Sequence, residues 1–287
     1  MKLKAGIVQF RAERGRIEEN LERAGGLLER CAVQGAEIVV LPELFDTGYF
    51  WGDELQELSK RSSSGTIGWL KERATGYGLT IIAGVGEPTG EGFYDSAILV
   101  RPSEEVEVYR KTHLFRDEVK YFRPGEKLKV TEVQEQKQGE RVKLGLLICV
   151  EVGFPEPARA LALEGAEMIV LPMAFGAARG NIYEVATRAR AVENGVFVIT
   201  ANQVGRAKSG RDEFDFYGHS RVVSPLGEVL LDLGEGEDSG VVELDLALVE
   251  RSRRGELDQA YPYLRERRPE LYHKLVEPRA EADRIVR

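Results

Sequence analysis

Cys149 stands where an apolar run, Val142-Lys143-Leu144-Gly145-Leu146-Leu147-Ile148, gives way to Val150-Glu151-Val152-Gly153-Phe154-Pro155-Glu156, a pattern that reads as a strand turning into a helix. Loops leaving the carboxyl ends of strands can vary while the strands hold them rigidly, so α/β proteins gather reactive groups there. Pro155 suits the first turn of a helix, where its missing N–H costs nothing, and Ala158 to Gly165 continues with strong helix formers closed by glycine. A cysteine just before such a helix faces N–H groups that favour a thiolate, the form that attacks carbon. Free cysteine is also among the most buried residue types, and position alone leaves the apolar-filler reading of Cys149 the commoner one. Cys31, on the apolar helical face of Leu27 to Val33, reads as core.

A repeat locates a second reactive group. Gly35-Ala36-Glu37-Ile38-Val39-Val40-Leu41-Pro42-Glu43 and Gly165-Ala166-Glu167-Met168-Ile169-Val170-Leu171-Pro172-Met173 are nearly the same strand twice, each after a helical stretch ending in glycine. Before those helices, Leu3 to Val8 corresponds to Val142 to Leu147, so the chain contains two related β-α-β halves. Near-continuous apolar runs suit strands covered on both faces, and a helical crossover between such strands suits neighbours in a mixed sheet. The proline near the end of each repeated strand is expected to stop the ladder. Glu43 thus ends a strand of the first half as Cys149 ends one of the second.

Further strands are expected at Leu79 to Val85, Ser96 to Val100, Val106 to Tyr109, Val196 to Ala201, Ser220 to Val223, Val229 to Leu233 and Gly240 to Leu246. Helices are expected near Ile17 to Gln34, Thr66 to Gly78, Pro155 to Gly165 and Asn181 to Asn194. That pattern is a two-sheet sandwich coated by helices. No linker rich in Pro, Gly or Ser interrupts it, so residues 1–287 read as one domain, with the charged, tyrosine-dotted stretch 250–287 as an arm lying over the body or a neighbouring subunit.

A net charge of -8 argues against a nucleic-acid backbone as the main partner. Two cysteines without regular spacing suggest a reducing compartment, no apolar run approaches a membrane span, and the amino terminus lacks a signal-peptide pattern, so a cytoplasmic location is expected. Asparagine occurs only at Asn20, Asn181, Asn194 and Asn202, and Glu and Arg crowd the helices, a composition like that of many heat-adapted proteins.

Three segments, Leu41-Pro42-Glu43, Tyr109-Arg110-Lys111-Thr112-His113-Leu114-Phe115 and Leu147-Ile148-Cys149-Val150-Glu151, resemble in order and context the nitrilase superfamily of carbon–nitrogen hydrolases. The resemblance extends through Phe154-Pro155-Glu156, Gly218-His219-Ser220-Arg221, Pro225 and Gly227, and covers the chain from its first strand to about Leu246. It implies an α/β fold, a four-layer α-β-β-α sandwich with two mixed sheets and an internal pseudo-twofold repeat. It also implies a catalytic set of Glu43, Lys111 and Cys149, with a fourth acid at Glu118 or the adjacent Asp117. Where the family commonly has an aromatic residue and then an aspartate after the cysteine, this chain has Val150 and Glu151.

These residue types fit the implied chemistry. An amide carbon is a poor electrophile and a thiol is mostly protonated at neutral pH, so a carboxylate must take the proton as sulfur attacks. Glu43 is the expected base, with Lys111 and the backbone N–H of Val150 stabilising the oxyanion, a contribution of ~3 kcal/mol per donor. The fourth acid would orient Lys111 or the substrate and keep the lysine protonated. His113 is expected to share a strand face with Lys111 as a buried, hydrogen-bonded support. Tyr49, Phe50 and Trp51, after Glu43, and Phe175, Ala177 and Arg179, after the second repeated strand, are the expected pocket lining.

The expected activity is hydrolysis of a small non-peptide amide through a Cys149 acyl-thioester, releasing ammonia or an amine, with no cofactor and no metal. The alternatives are a nitrile substrate or an N-carbamoyl compound whose carboxylate Arg179 would receive. From other classes come a metal-dependent phosphoesterase, disfavoured by three scattered histidines, and an inactive scaffold. The resemblance further implies a homodimer or higher homo-oligomer.

Overall fold

The computed structural model describes residues 1–50, 52–134, 139–209 and 212–277. In chain order the elements are β1 (Lys2–Gln9), α1 (Ile17–Val33), β2 (Ile38–Val40), α2 (Asp53–Tyr77), β3 (Thr80–Pro88), β4 (Phe93–Val100), β5 (Val106–Arg110), β6 (Lys129–Gln134), β7 (Arg141–Leu146), α3 (Pro155–Leu163), β8 (Met168–Met173), α4 (Gly180–Asn194), β9 (Phe197–Asn202), β10 (Val204–Ser209), β11 (Asp212–Tyr217), β12 (Arg221–Val223), β13 (Val229–Asp232), β14 (Asp238–Asp245) and α5 (Ala247–Arg254).

Among the described residues the strands form two six-stranded mixed sheets, ordered β14-β1-β2-β3-β4-β5 and β13-β12-β9-β8-β7-β6, and a β10–β11 hairpin. The sheets are copies of one plan. In each, three parallel strands (β1-β2-β3, β7-β8-β9) are extended on one side by an antiparallel pair (β4-β5, β12-β13) and on the other by a single antiparallel strand (β14, β6). The register repeats too: Gly6 pairs with Val39 and Gly145 with Ile169. Both glycines let a helix lie close on its sheet, since a Cβ at Gly6 would meet Cys31 of α1 at 3.2 Å and one at Gly145 would meet Leu161 of α3 at 2.9 Å. Cys31 is therefore a packing residue, as expected.

Alternation places Leu3, Ala5, Ile7, Ile38 and Val40 against the second sheet in the central core, while Val8, Val39, Ile81 and Ala83 face α1 and α2. With α3 and α4 on the second sheet, the layers run α-β-β-α. This is the sandwich read from the sequence.

Several boundaries differ. α2 begins at Asp53, well before Thr66, because burial of Leu55, Ser59 and Leu70 carries a helix through the unfavourable Ser62-Ser63-Ser64-Gly65 stretch. Pro172 does not end its strand: β8 pairs with β9 through Pro172 and Met173, since the last β7 partner is at Val170 and no neighbour there requires the missing N–H. The strands β6, β10 and β11 were not anticipated. α5 still packs on the body through Val249 and Ser252, and the irregular arm follows it, exposing Tyr261, Leu271, Leu275 and Val276. Residues 278–287 of the expected arm lie outside the described residues. Within those residues no helix is long and apolar enough to cross a membrane.

Candidate active site

The carboxyl ends of β2 and β8 meet across the sandwich, and the charged residues gather there. Glu43 leaves the β2 end with its backbone N–H donating to Met173 O at 3.3 Å, while its Oε2 accepts the Ala174 N–H at 2.7 Å. Gly84 of β3 makes this approach possible, because a Cβ there would lie 2.5 Å from Glu43 Cα. Lys111 follows β5 and donates its backbone N–H to Asp95 O across the β4–β5 pair at 2.9 Å. Its Nζ reaches Glu43 Oε1 at 2.5 Å, Glu118 Oε1 at 2.8 Å and Asp95 Oδ2 at 3.1 Å, and all four side chains are fully buried.

Glu118, on the 3-10 turn Arg116–Lys120, is fixed by the Tyr49 hydroxyl at 2.7 Å and the Phe115 N–H at 2.6 Å. Asp117 instead points outward to Lys120 at 2.8 Å, so of the two candidates it is Glu118 that touches the lysine. Burial alone would push the Lys111 ammonium down, but Glu118, Glu43 and Asp95 outweigh it and hold it well above its usual range. Burial pushes Glu118 up, with Lys111 opposing. The carboxylates of Glu43, Asp95 and Glu118 would suit a hard cation by type and spacing, but Nζ of Lys111 touches all three and is itself their cation.

Cys149 opens a 3-10 turn, Cys149–Gly153, with φ +47°, a backbone strain of about 1–3 kcal/mol for a residue with a side chain. Glu151 holds that turn. Its fully buried carboxylate accepts Ile148 N–H at 2.8 Å, Thr112 N–H at 2.9 Å, Thr112 Oγ1 at 2.5 Å and the Tyr109 hydroxyl at 2.8 Å, tying the cysteine turn to the strand that delivers Lys111. The expectation of a helix-stabilised thiolate is corrected. Burial first, then Glu43, push the Cys149 thiol well above its usual range; Lys111 opposes them, Glu118 adds a lesser push and the Ala174 N–H a lesser pull. Cys149 therefore rests as a thiol and its proton must leave as the sulfur attacks.

Cys149 lies at the wall of a cavity of about 420 Å³. Of the residues read as pocket lining, Tyr49, Phe175 and Arg179 stand on its wall. Phe50 does not, being fully buried among Leu44, Tyr49 and Leu55 with the Arg14 guanidinium 4.4 Å over its ring. Neither does Ala177, whose neighbour Ala178 takes that place on the wall. Trp51 lies outside the described residues. His113 is not in a strand, since β5 ends at Arg110. Its side chain is 40% exposed, stacks on Phe154 at 4.4 Å and shares Thr112 and Glu151, which corrects the buried-support expectation.

A match to the model of the carbon–nitrogen hydrolase family extends over residues 4–254. The chain belongs to that family. The hydrolase is 35% identical to a nitrilase of Pyrococcus abyssi over 95% of this chain and 100% of the relative, and 32% identical to an (R)-stereoselective amidase of Pseudomonas sp over 93% and 92%. Among solved structures, a cysteine mutant of the Nesterenkonia AN1 amidase from the nitrilase superfamily superposes with a TM-score of 0.81 at 29% identity, covering 96% of this chain and 97% of that one. The family and its amidase-named members make this protein an amidase-type hydrolase, which displaces the phosphoesterase and inactive-scaffold readings.

Sequence reasoning about this hydrolase passed over Asp95, Gly84, Phe115, Arg116, Phe214 and Phe216. One signal was present for Asp95. It shares a strand face with Ala97 and Leu99, so it is a carboxyl group in a core-facing register. Phe214 and Phe216 alternate with acidic residues on β11, which overhangs the cavity, and both meet Tyr49 edge-on at 5.6 and 6.0 Å.

Proposed function

We propose that the enzyme hydrolyses a small non-peptide amide through an acyl-thioester on Cys149. The observation that carries this is one lysine ammonium bound by Glu43 and Glu118 beside a buried thiol, at the wall of an aromatic cavity. Sulfur attacks the carbonyl carbon while its proton passes to Glu43. Lys111 and the Val150 N–H, at the open start of the cysteine turn, receive the oxyanion. Collapse breaks the C–N bond, Glu43 returns the proton to nitrogen, and ammonia or an amine leaves. Water then attacks the thioester as Glu43 takes one of its protons. The C–S bond breaks, and the thiol is restored with release of the acid.

Tyr49, Phe175, Phe214 and Phe216 give the cavity an apolar wall suited to a short acyl group. Structures of the Nesterenkonia amidase hold acrylamide and butyramide, which are of that size. A second reading, a substrate carrying a carboxylate such as an N-carbamoyl amino acid, is favoured by Arg116 and Arg179. Both guanidinium groups lie 5.0 Å from the Phe115 ring, both line the cavity, and among the described residues no carboxylate pairs with either. Nitrile hydrolysis follows the name of the Pyrococcus relative. The face bearing Phe154, Leu163, Ile182 and Val185, all exposed, supports a homo-oligomer, and two free cysteines suit a cytoplasmic location.

Ammonia release from a panel of aliphatic amides, nitriles and carbamoyl amino acids, with Cys149→Ala as the blank, tests the reading. Turnover of a small amide with an acyl-enzyme mass on Cys149 is expected. Undiminished turnover in Cys149→Ala would refute the mechanism.

A further inference from the structure

Three buried carboxyl groups surround one ammonium, and they are unequally satisfied. Glu43 accepts from Lys111 and from the Ala174 N–H. Glu118 accepts from Lys111, the Tyr49 hydroxyl and the Phe115 N–H. Asp95 accepts from Lys111 alone, at the longest of the three distances, and its Oδ1 is buried without a donor among the described residues. Asp95 also brings a carboxyl oxygen within 4.8 Å of one from Glu43 and one from Glu118. Two carboxylates repel, whereas a carboxylic acid and a carboxylate share a proton.

If all three acids were ionised, the cluster would carry two uncompensated negative charges with no exposed surface. The other titratable groups around it supply no compensation: Cys149 rests as a thiol and Tyr49 is held as a neutral phenol, pushed well above its usual range by burial and then by Glu118 and Glu43. Glu87 and Arg110 pair with each other and, with Ser96, belong to the opposite face of the β4–β5 pair.

We propose that Asp95 is a neutral carboxylic acid in the resting enzyme, donating its proton to a Glu43 oxygen, and that it serves as a positioning residue for the general base. The hydrogen bond occupies the orphaned Asp95 oxygen, removes one negative charge and holds Glu43 as the anionic partner of Lys111, free to accept the Cys149 proton. Burial, with Glu43 adding to it and Lys111 opposing, pushes the Asp95 carboxyl well above the usual range, in the same direction. The positioning role rests on the function proposed above, but the protonation state does not.

Infrared difference spectroscopy on the full-length enzyme reads that state without turnover. A protonated-carboxyl C=O band is expected at neutral pH, lost in Asp95→Asn, or in Asp95→Ala should the Asn variant fail to fold, and retained in Glu118→Gln and in Asp46→Asn. Because Asp46 is also buried and pushed up, a band lost in Asp46→Asn and kept in the Asp95 variants would count against the proposal. No band, or a band lost only in Glu118→Gln, overturns the proposal. In kinetics, Asn keeps a donor toward Glu43 and cannot ionise. Its kcat should stay within about threefold of wild type at neutral pH, with the alkaline limb of the profile moved upward or abolished. Asp95→Ala, with no donor, should lose at least about tenfold in kcat with little change in KM. Asn and Ala falling together with an unmoved profile, or both matching wild type, would also overturn it.

Discussion

Replacing Glu151 by Gln changes one buried atom and should be costly in both stability and turnover. The Glu151 carboxylate is an acceptor on both sides: Oε2 takes the Ile148 N–H, and Oε1 takes the Thr112 N–H and Oγ1 and the His113 N–H at 3.2 Å. A glutamine must aim its NH2 at one of those groups whichever way the amide is flipped. If it faces Ile148, one backbone N–H loses its partner inside the protein. If it faces Thr112, two do. Leaving a buried donor unsatisfied costs about 1–3 kcal/mol, and exchanging a charged for a neutral acceptor on the remaining bonds costs about 1 kcal/mol more. The sum is ~3 kcal/mol, which for a chain of this size lowers Tm by about 6 °C. Because the same carboxylate fixes Ile148 beside the strained φ of Cys149, kcat should fall at least about tenfold through misplacement of the sulfur. Calorimetry and steady-state kinetics on the purified variant read both effects. A Tm within about 1 °C of wild type together with unchanged kcat would refute the reasoning, because it would mean that the cysteine turn holds its shape without this carboxylate.

Three further outcomes are expected. Gly84→Ala puts a methyl group 2.5 Å from Glu43 Cα and should lower kcat by more than about tenfold while the protein stays folded by circular dichroism; wild-type activity would show that the Glu43 loop can yield. With both thiols buried, Cys149 pushed well above its usual range and Cys31 pushed up to about 11 by burial, iodoacetamide should label Cys149 more slowly than free cysteine at neutral pH and leave Cys31 unmodified; rapid labelling near pH 7 by mass spectrometry would contradict a resting thiol. Burial alone would raise Glu107, but Lys129, Thr131 and Arg101 hold it at about 2 against an ordinary 4.5, so its stabilising contribution is present above 4.5 and is lost as pH falls through about 2. The stability gap between wild type and Glu107→Gln in urea melts should therefore close over that window, and a gap constant with pH would count against the ion pairs, which partial exposure keeps modest.

The repeat was legible because parallel strands sheathed on both faces demand unbroken apolar runs, and this chain spells the same run twice. Gly6 and Gly145 mark matching close approaches of a helix to a sheet. Order along the chain, by resemblance, also pointed to Glu43, Lys111 and Cys149. The α2 start escaped because local propensity at Ser62-Ser63-Ser64-Gly65 opposes a helix that packing enforces. The β10–β11 hairpin escaped because its aromatic positions are few and interleaved with charge, and they gain meaning only beside Tyr49. Pro172 misled because whether a missing N–H matters depends on the neighbouring strand, not on the proline.

What the chain alone determined is its two-sheet plan and the types of group available for chemistry, since both follow from periodicity and side-chain identity. The tertiary structure decided which acid touches the lysine, that Asp95 joins Glu43 and Glu118, and that the sulfur rests protonated. Those outcomes depend on cross-strand register and on the exclusion of water, and a carboxyl group's charge is set by the donors and the solvent that folding leaves around it.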